Sequence, residues 1–184
     1  MPSLRYTHAA LDAVLELVSK ETILIEDVES IEVRVVPVTA QVLIHPNPRS
    51  ALEGKFSMEF CIATAILRKQ VKLESFTDEN VLNGGTQDMM KKVKMVADPK
   101  LEGSESPTVL KIRLKNGKEY SKQVNRPKGN PDVPMSRNEF LAKYRDCARR
   151  VLSADAANRV LDMIENMESV TNLRKLGDLL IGYN

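Results

Sequence analysis

The sequence is short of aromatic residues and of histidine, and these two shortages exclude a good deal. It has no tryptophan, and aromatic residues make up 4% of the 184 positions, so the stacking rings that read single-stranded nucleic acid or line a sugar cleft are missing. The formal net charge of +2 is too small for the concentrated basic patch that a phosphate backbone demands, so nucleic acid is not an expected partner. Only His8 and His45 are present, and the cysteines Cys61 and Cys147 lie far apart, which gives no zinc-ligand spacing. Gly-x-Gly-x-x-Gly, a phosphate loop ending in Gly-Lys-Ser or Thr, and Gly-x-Ser-x-Gly are all missing. Nucleotide-dependent and serine-hydrolase chemistry therefore lack their local geometry, and no cofactor or metal is expected. No run approaches the ~20 apolar residues that cross a bilayer, and no basic-then-apolar leader opens the chain. No membrane partner and a cytoplasmic location are the expectation.

What is present is ordinary globular composition, 42% apolar and 28% charged, enough for one domain over residues 1–184 with a core of its own. Ser50 to Gln70 stands out. Ser50 and Glu53 form a capping box, and Phe56, Phe60, Ala63 and Leu67 recur at helical spacing, with Met58, Ile62, Ala65 and Ile66 filling much of the rest. A helix this apolar is expected at the centre of the core, and Ala63, Thr64 and Ala65 would let a neighbour come close. Cys61 and Cys147 read as reduced core thiols.

Before this stretch, Thr7 is an expected cap for a helix over Ala10 to Val18 that ends near Lys20, an abrupt start that suggests a chain cut from something longer. Ile31, Val33 and Val35 alternate with polar neighbours as a half-buried strand, and Gln41 to Ile44 reads as a second short strand. Beyond it, Thr77 and Thr86 are expected caps of short helices, and Val93, Met95 and Ala97 enter a strand with Lys94 outward. Pro99 to Pro107 reads as a mobile surface loop. Asn116 and Gly117 stand between two strand patterns and predict a tight antiparallel hairpin. Arg126 to Pro134 is a proline-fixed connection, after which Ser136 with Glu139, and then Ser153, start helices, and Leu173 to Leu180 marks a last one. Strands and helices do not alternate regularly, so the expected class is α+β, with a small antiparallel sheet and its hairpin packed against several helices.

Chemistry-bearing residues are few. His8 stands beside Arg5 and Tyr6 at a helix start, where a histidine is a proton carrier near neutral pH and an arginine holds a carboxylate by its forked donors. A local hydrogen bond for His8 and a solvated Arg5 is the bland alternative. Lys55 falls in the first turns of the central helix, mildly unfavourable for its dipole, a misfit that an anionic ligand or simple snorkelling would explain. His45, in a proline-flanked turn, reads as structural. Lys128 and Gly129 read as architectural, and Asp12 and Glu16 as solvent-facing at i,i+4.

The order of these features resembles the C-terminal domain of the MmgE/PrpD family, the group that contains 2-methylcitrate dehydratase and cis-aconitate decarboxylase. The segments that carry the likeness are Pro2 to Ala13, the strand at Ile31 to Val36, Glu53 to Ser57 with Phe60 and Ala63, Lys92 and Val93, the hairpin at Asn116 and Gly117, Lys128, Gly129 and Pro131, and Phe140 with Lys143 and Tyr144. The resemblance implies the second domain of a two-domain lyase. Such enzymes eliminate water or carbon dioxide from small di- or tricarboxylic acids, without a metal, in a cleft shared with an all-helical N-terminal domain. It makes His8 the catalytic candidate and Arg5 and Lys55 the substrate-binding ones. Leucine at position 4 departs from the family's histidine or cysteine and can neither transfer a proton nor bind a carboxylate. Two classes follow. One is an enzyme half, inactive without a separately encoded helical partner and expected to show an apolar docking patch with Arg5, His8 or Lys55 facing a cleft. The other is a noncatalytic interaction or relic domain, a homodimer over the first helix.

Overall fold

Val28, Ile31, Val33 and Val35 are buried while Glu29, Ser30 and Glu32 between them face water, the alternation of a strand covered on one side. This strand, β1 (Val28–Val35), lies inside a four-stranded sheet with β2 (Val93–Ala97), β3 (Thr108–Leu114) and β4 (Glu119–Val124), in the order β2-β1-β3-β4. The structure, a computed structural model, describes residues 2–103 and 105–181. Contacts divide the chain into two compact units, residues 1–134 and 135–184.

In the first unit, α1 (His8–Lys20) precedes β1, and α2 (Pro37–Val42), α3 (Ala51–Gly54), α4 (Met58–Arg68), α5 (Asp78–Leu82) and α6 (Gly84–Met90) lead to β2 (Val93–Ala97). The strands β3 (Thr108–Leu114) and β4 (Glu119–Val124) complete it. The class is α+β, as expected, but the sheet is mixed: β2 runs parallel to β1, with Ile31 opposite Val93 and Val35 opposite Ala97. β3 is antiparallel to both β1 and β4. The hairpin forms at Asn116 and Gly117 through a three-residue loop. Only Gly117 turns left-handed, at φ 84°, while its N–H bonds to the Leu114 carbonyl at 2.9 Å and Lys118 N donates to Asn116 Oδ1 at 2.9 Å.

α1 packs over β3 and β4, and α4 lies against α1, α6 and β2. Leu11, Val14, Phe60, Ile62, Leu110 and Ile112 meet in the core between helices and sheet. The opposite side of the sheet carries ion pairs, Lys111 with Glu119 at 2.7 Å and Arg113 with Glu29 at 3.0 Å. Every residue of α4 from Met58 to Ile66 is buried, and the Phe60 ring meets Phe76 edge-on at 5.5 Å between centroids.

The stretch from Ser50 to Gln70 is two helices rather than one. Ser50 caps α3 by accepting from Glu53 N, but the Glu53 carboxylate takes Arg49 N at 2.6 Å instead of closing the box on Ser50. Lys55 and Phe56 then break the helix, and Ser57 caps α4 by accepting from Phe60 N at 3.1 Å. Gly54 sits at the break because an added Cβ would stand 3.0 Å from Phe60 Cδ1 and 3.2 Å from Val81 Cγ2. Other expectations are corrected by backbone chemistry. Gln41 and Val42 end a helix, not a strand, since Pro37 at its first turn opens α2 with the φ a helix wants. Asn83, not Thr86, caps α6 by accepting Thr86 N. The Thr7 hydroxyl donates back to the Leu4 carbonyl at 2.8 Å and caps nothing.

The second unit is helical: α7 (Arg137–Ala148), α8 (Ala154–Glu165) and α9 (Arg174–Leu180). Ser136 and Glu139 complete the expected capping box, with Ser136 N donating to the carboxylate at 2.9 Å and Ser136 Oγ accepting Glu139 N at 3.3 Å. Ser153 caps α8. Tyr144 donates its hydroxyl to the Ala157 carbonyl at 2.7 Å, and Arg137 pairs with Glu165 at 2.6 Å. Cys147 is exposed here, whereas Cys61 is buried in the first unit, so only one of the two is a core thiol. No described helix is long and apolar enough to cross a membrane.

Candidate functional site

The residues that start α1 are folded back on themselves. Thr7 N and Thr7 Oγ1 both donate to the Leu4 carbonyl, at 2.9 and 2.8 Å, and the Ser3 hydroxyl lies 2.7 Å from Thr7 Oγ1. Arg5 to Thr7 form a single tight turn that runs straight into the helix. His8, the first helical residue, donates Nε2–H to the Ser3 carbonyl at 3.1 Å. A carbonyl only accepts, so Nε2 carries a proton in this bond. Asp12 lies one turn further along the same helix face.

Two distant segments reach this helix start. Leu4 N donates to the Lys55 carbonyl at 3.0 Å, which brings the break between α3 and α4 against the residue next to Arg5. Arg5 Nη2 donates to Glu105 Oε2 at 2.5 Å, and the same oxygen accepts Asn130 Nδ2 at 2.7 Å. Lys128 N donates to Asp12 Oδ2 at 2.6 Å. The long connection after β4 is thereby tied to α1 directly through Asp12 and indirectly through Glu105.

Arg5 and His8 share the stretch that starts α1, and the Lys55 backbone, from a distant stretch, reaches it through Leu4. Lys55 does so at the C-terminal end of α3 and not inside the first turns of the central helix, and the supposed clash with a helix dipole disappears. Asp12 and Glu16 are not idle surface carboxylates. Asp12 holds the Lys128 backbone, and Glu16 receives Lys122 at 2.8 Å and Lys20 at 2.7 Å. These hydrogen bonds, Lys122's first, hold its carboxyl down at about 2.

Sequence reasoning missed Glu105, Asn130 and Glu59. Glu105 and Asn130 lie in irregular segments where no periodicity marks a residue, and their pairing spans 25 positions. Glu59 lies in the first turn of α4, buried, with Oε2 lacking any partner among the described residues. Burial pushes its carboxyl upward, against opposing hydrogen bonds from the Glu59 and Met95 backbones and Ser57. Its charge beside the run of apolar residues was the signal available. Behind the helix start lies Cys61, whose thiol donates to the Gly54 carbonyl at 3.6 Å. Burial pushes it up to about 12, so it is no nucleophile.

The arrangement sets a guanidinium and an imidazole at the helix start and brings the backbone of Lys55 to it. Forked guanidinium and ammonium donors suit carboxylates, and histidine moves protons near neutral pH. Among the described residues no cluster of three or more histidine, cysteine or acidic side chains is arranged to hold a metal ion. The class so defined is an α+β domain with a mixed sheet, helices over one face, and a basic helix start. The family follows from the sequence match: the model of the MmgE/PrpD C-terminal domain covers residues 1–169, and the chain belongs to that family. It is 25% identical to cis-aconitate decarboxylase of Mus musculus over 184 residues, which takes in 96% of this chain and 37% of that protein. Against cis-aconitate decarboxylase of Homo sapiens it is 23% identical over 146 residues, 77% of this chain and 30% of the other. The chain therefore spans about a third of the length of these relatives.

Proposed function

We propose that this chain supplies one wall of the active-site cleft of a lyase that acts on small di- or tricarboxylic acids. The reaction is removal of a proton next to a carboxylate and elimination of water or carbon dioxide. Arg5 and Lys55 hold carboxylates, His8 carries a proton, and an all-helical domain supplies the remaining acid, base and cationic groups. The chain by itself does not turn over. The observation behind this reading is the Leu4 to Lys55 backbone bond, which joins Lys55 to the Arg5 and His8 segment. Catalysis of this kind needs several charged groups around one small anion, and leucine at position 4 leaves this wall short of one.

The test is turnover of citrate, 2-methylcitrate and cis-aconitate by the 184-residue chain alone and with a family helical domain added. Activity is expected only with the added domain. Arg5→Gln should lower kcat/KM by about 10- to 100-fold, the worth of one charge-assisted hydrogen bond, and His8→Ala should lower kcat by about 100-fold or more. A second reading, a noncatalytic domain that pairs with its own copy, is favoured by one observation: Arg5 already meets an internal carboxylate. Under it no added domain produces turnover, and the chain sediments as a dimer.

A further inference from the structure

Glu105 places a carboxylate on the residue to which the reading above assigns a substrate carboxylate. It is held there from both sides. Its Oε2 takes Arg5 Nη2 at 2.5 Å and Asn130 Nδ2 at 2.7 Å. Asn130 is itself fixed: its Oδ1 accepts Asp132 N at 3.0 Å, its N–H donates to the Pro127 carbonyl at 3.2 Å, and its carbonyl accepts Val133 N at 2.9 Å. Next to Glu105, Ser106 is buried at 4% exposure and left-handed at φ 56°. A non-glycine residue takes that conformation only where its surroundings dictate it. Here the Ser106 carbonyl accepts Thr108 Oγ1 at 3.3 Å at the start of β3. The turn that presents Glu105 to α1 is therefore built into the fold. The ion pair it forms is open to water, with Arg5 49% and Glu105 33% exposed, and exposed pairs are weak and exchange partners readily.

We infer that Glu105 is an internal stand-in for a substrate carboxylate, a latch that occupies Arg5 until a carboxylate ligand takes its place. This rests on the assignment of Arg5 as a carboxylate-binding residue. Asn130 makes the exchange inexpensive, because a displaced Glu105 keeps the amide donor and is not left without a partner. The latch sets affinity: the ligand must replace an existing ion pair, so binding is weaker than Arg5 alone would give. It also favours ligands with more than one carboxylate, which bring a second anion to the same helix start.

The experiment is a calorimetric and NMR titration of the full chain with citrate at fixed ionic strength, for wild type, Glu105→Gln, Arg5→Gln and the double variant, each checked for an unchanged melting profile. Glu105→Gln keeps the side-chain shape and removes the charge. It should tighten citrate binding by about two- to fivefold, the worth of an exposed ion pair, and the Arg5 side-chain resonances of wild type should move toward those of Glu105→Gln as citrate is added. The gain should vanish in the Arg5→Gln background. Equal or weaker binding by Glu105→Gln, a gain that persists without Arg5, or no citrate binding by any variant would overturn the latch. If Arg5→Gln weakens binding but Glu105→Gln does not tighten it, the latch alone falls. If Arg5→Gln changes neither citrate affinity nor turnover with the added helical domain, the carboxylate-binding role of Arg5 falls as well.

Discussion

The two units of this chain are held together by different means. In residues 1–134 a sheet and two long helices enclose a core that contains Phe60, Leu11, Ile31, Met58, Ile62 and Leu110, all fully buried. Among the described residues of 135–184 the buried apolar ones are Ala148, Ala157 and Val160, while Phe140, Val151, Ile164 and Leu173 are exposed. The second unit relies on serine caps, the Tyr144 hydroxyl and the Arg137 pair with Glu165. Burial of large side chains supplies kilocalories each, whereas caps and exposed ion pairs supply about 1 kcal/mol or less. The first unit is therefore a frame able to hold the helix start in place, and the second is a stack of locally specified helices.

Deleting the central ring gives the largest expected effect. Phe60→Ala should cost the first unit about 3–5 kcal/mol, read from denaturant unfolding; a comparable loss from Val160→Ala in the second unit would break the contrast. Next is Gly54→Ala, whose Cβ would meet the Phe60 ring at 3.0–3.1 Å. We expect a loss of about 1–3 kcal/mol from overpacking, together with shifted amide resonances at Leu4 and Lys55, since the break after Gly54 carries the Lys55 carbonyl. Ser136→Ala should cost about 1 kcal/mol, confined to faster hydrogen exchange in the first turn of α7.

The smallest effects are in the pH dependence, and they have opposite signs. The raised Glu59 carboxyl means that the folded form holds its proton more tightly than the unfolded one. Its contribution is greatest below the ordinary carboxylate range and is lost as pH rises through the raised value; Glu59→Gln should flatten that fall. Glu16 is lowered from 4.5 to about 2. Its contribution is present above 4.5 and is lost as pH falls from 4.5 toward 2, and Glu16→Gln should remove that acid loss. Melting curves between pH 2 and 8 separate the two.

Local chemistry was the most legible part of the sequence. The Ser136 and Glu139 box, the caps at Thr77 and Ser153, the hairpin glycine and the alternation in β1 all state their roles within a few residues. The break at Lys55 was obscured because the apolar spacing continues across it, although Gly54 and Ser57 both mark a boundary. The strand expected at Gln41 to Ile44 fails because Pro37, a few residues earlier, opens a helix. The parallel partner of β1 was not legible, since no local pattern says which strand Val93 to Ala97 will join. In the candidate site, Arg5, His8 and Lys55 were visible as residue types. Their assembly, and the Glu105 carboxylate on Arg5, depend on contacts across long spans of chain that leave no local pattern.

The parallel pairing of β1 with β2 also orders events in time. Antiparallel β3 and β4 are joined by a three-residue loop and can close within microseconds, as isolated hairpins do. β2 can meet β1 only after residues 36–92 have formed a crossover containing α2 to α6. Since loop closure over such a span is entropically expensive before its contacts form, the hairpin is expected to precede the β1 and β2 ladder. The break that carries Lys55 lies inside that crossover, so the Leu4 to Lys55 bond is expected to close after the hairpin, an order that pulsed hydrogen exchange at the Leu4 and Leu114 amides would read.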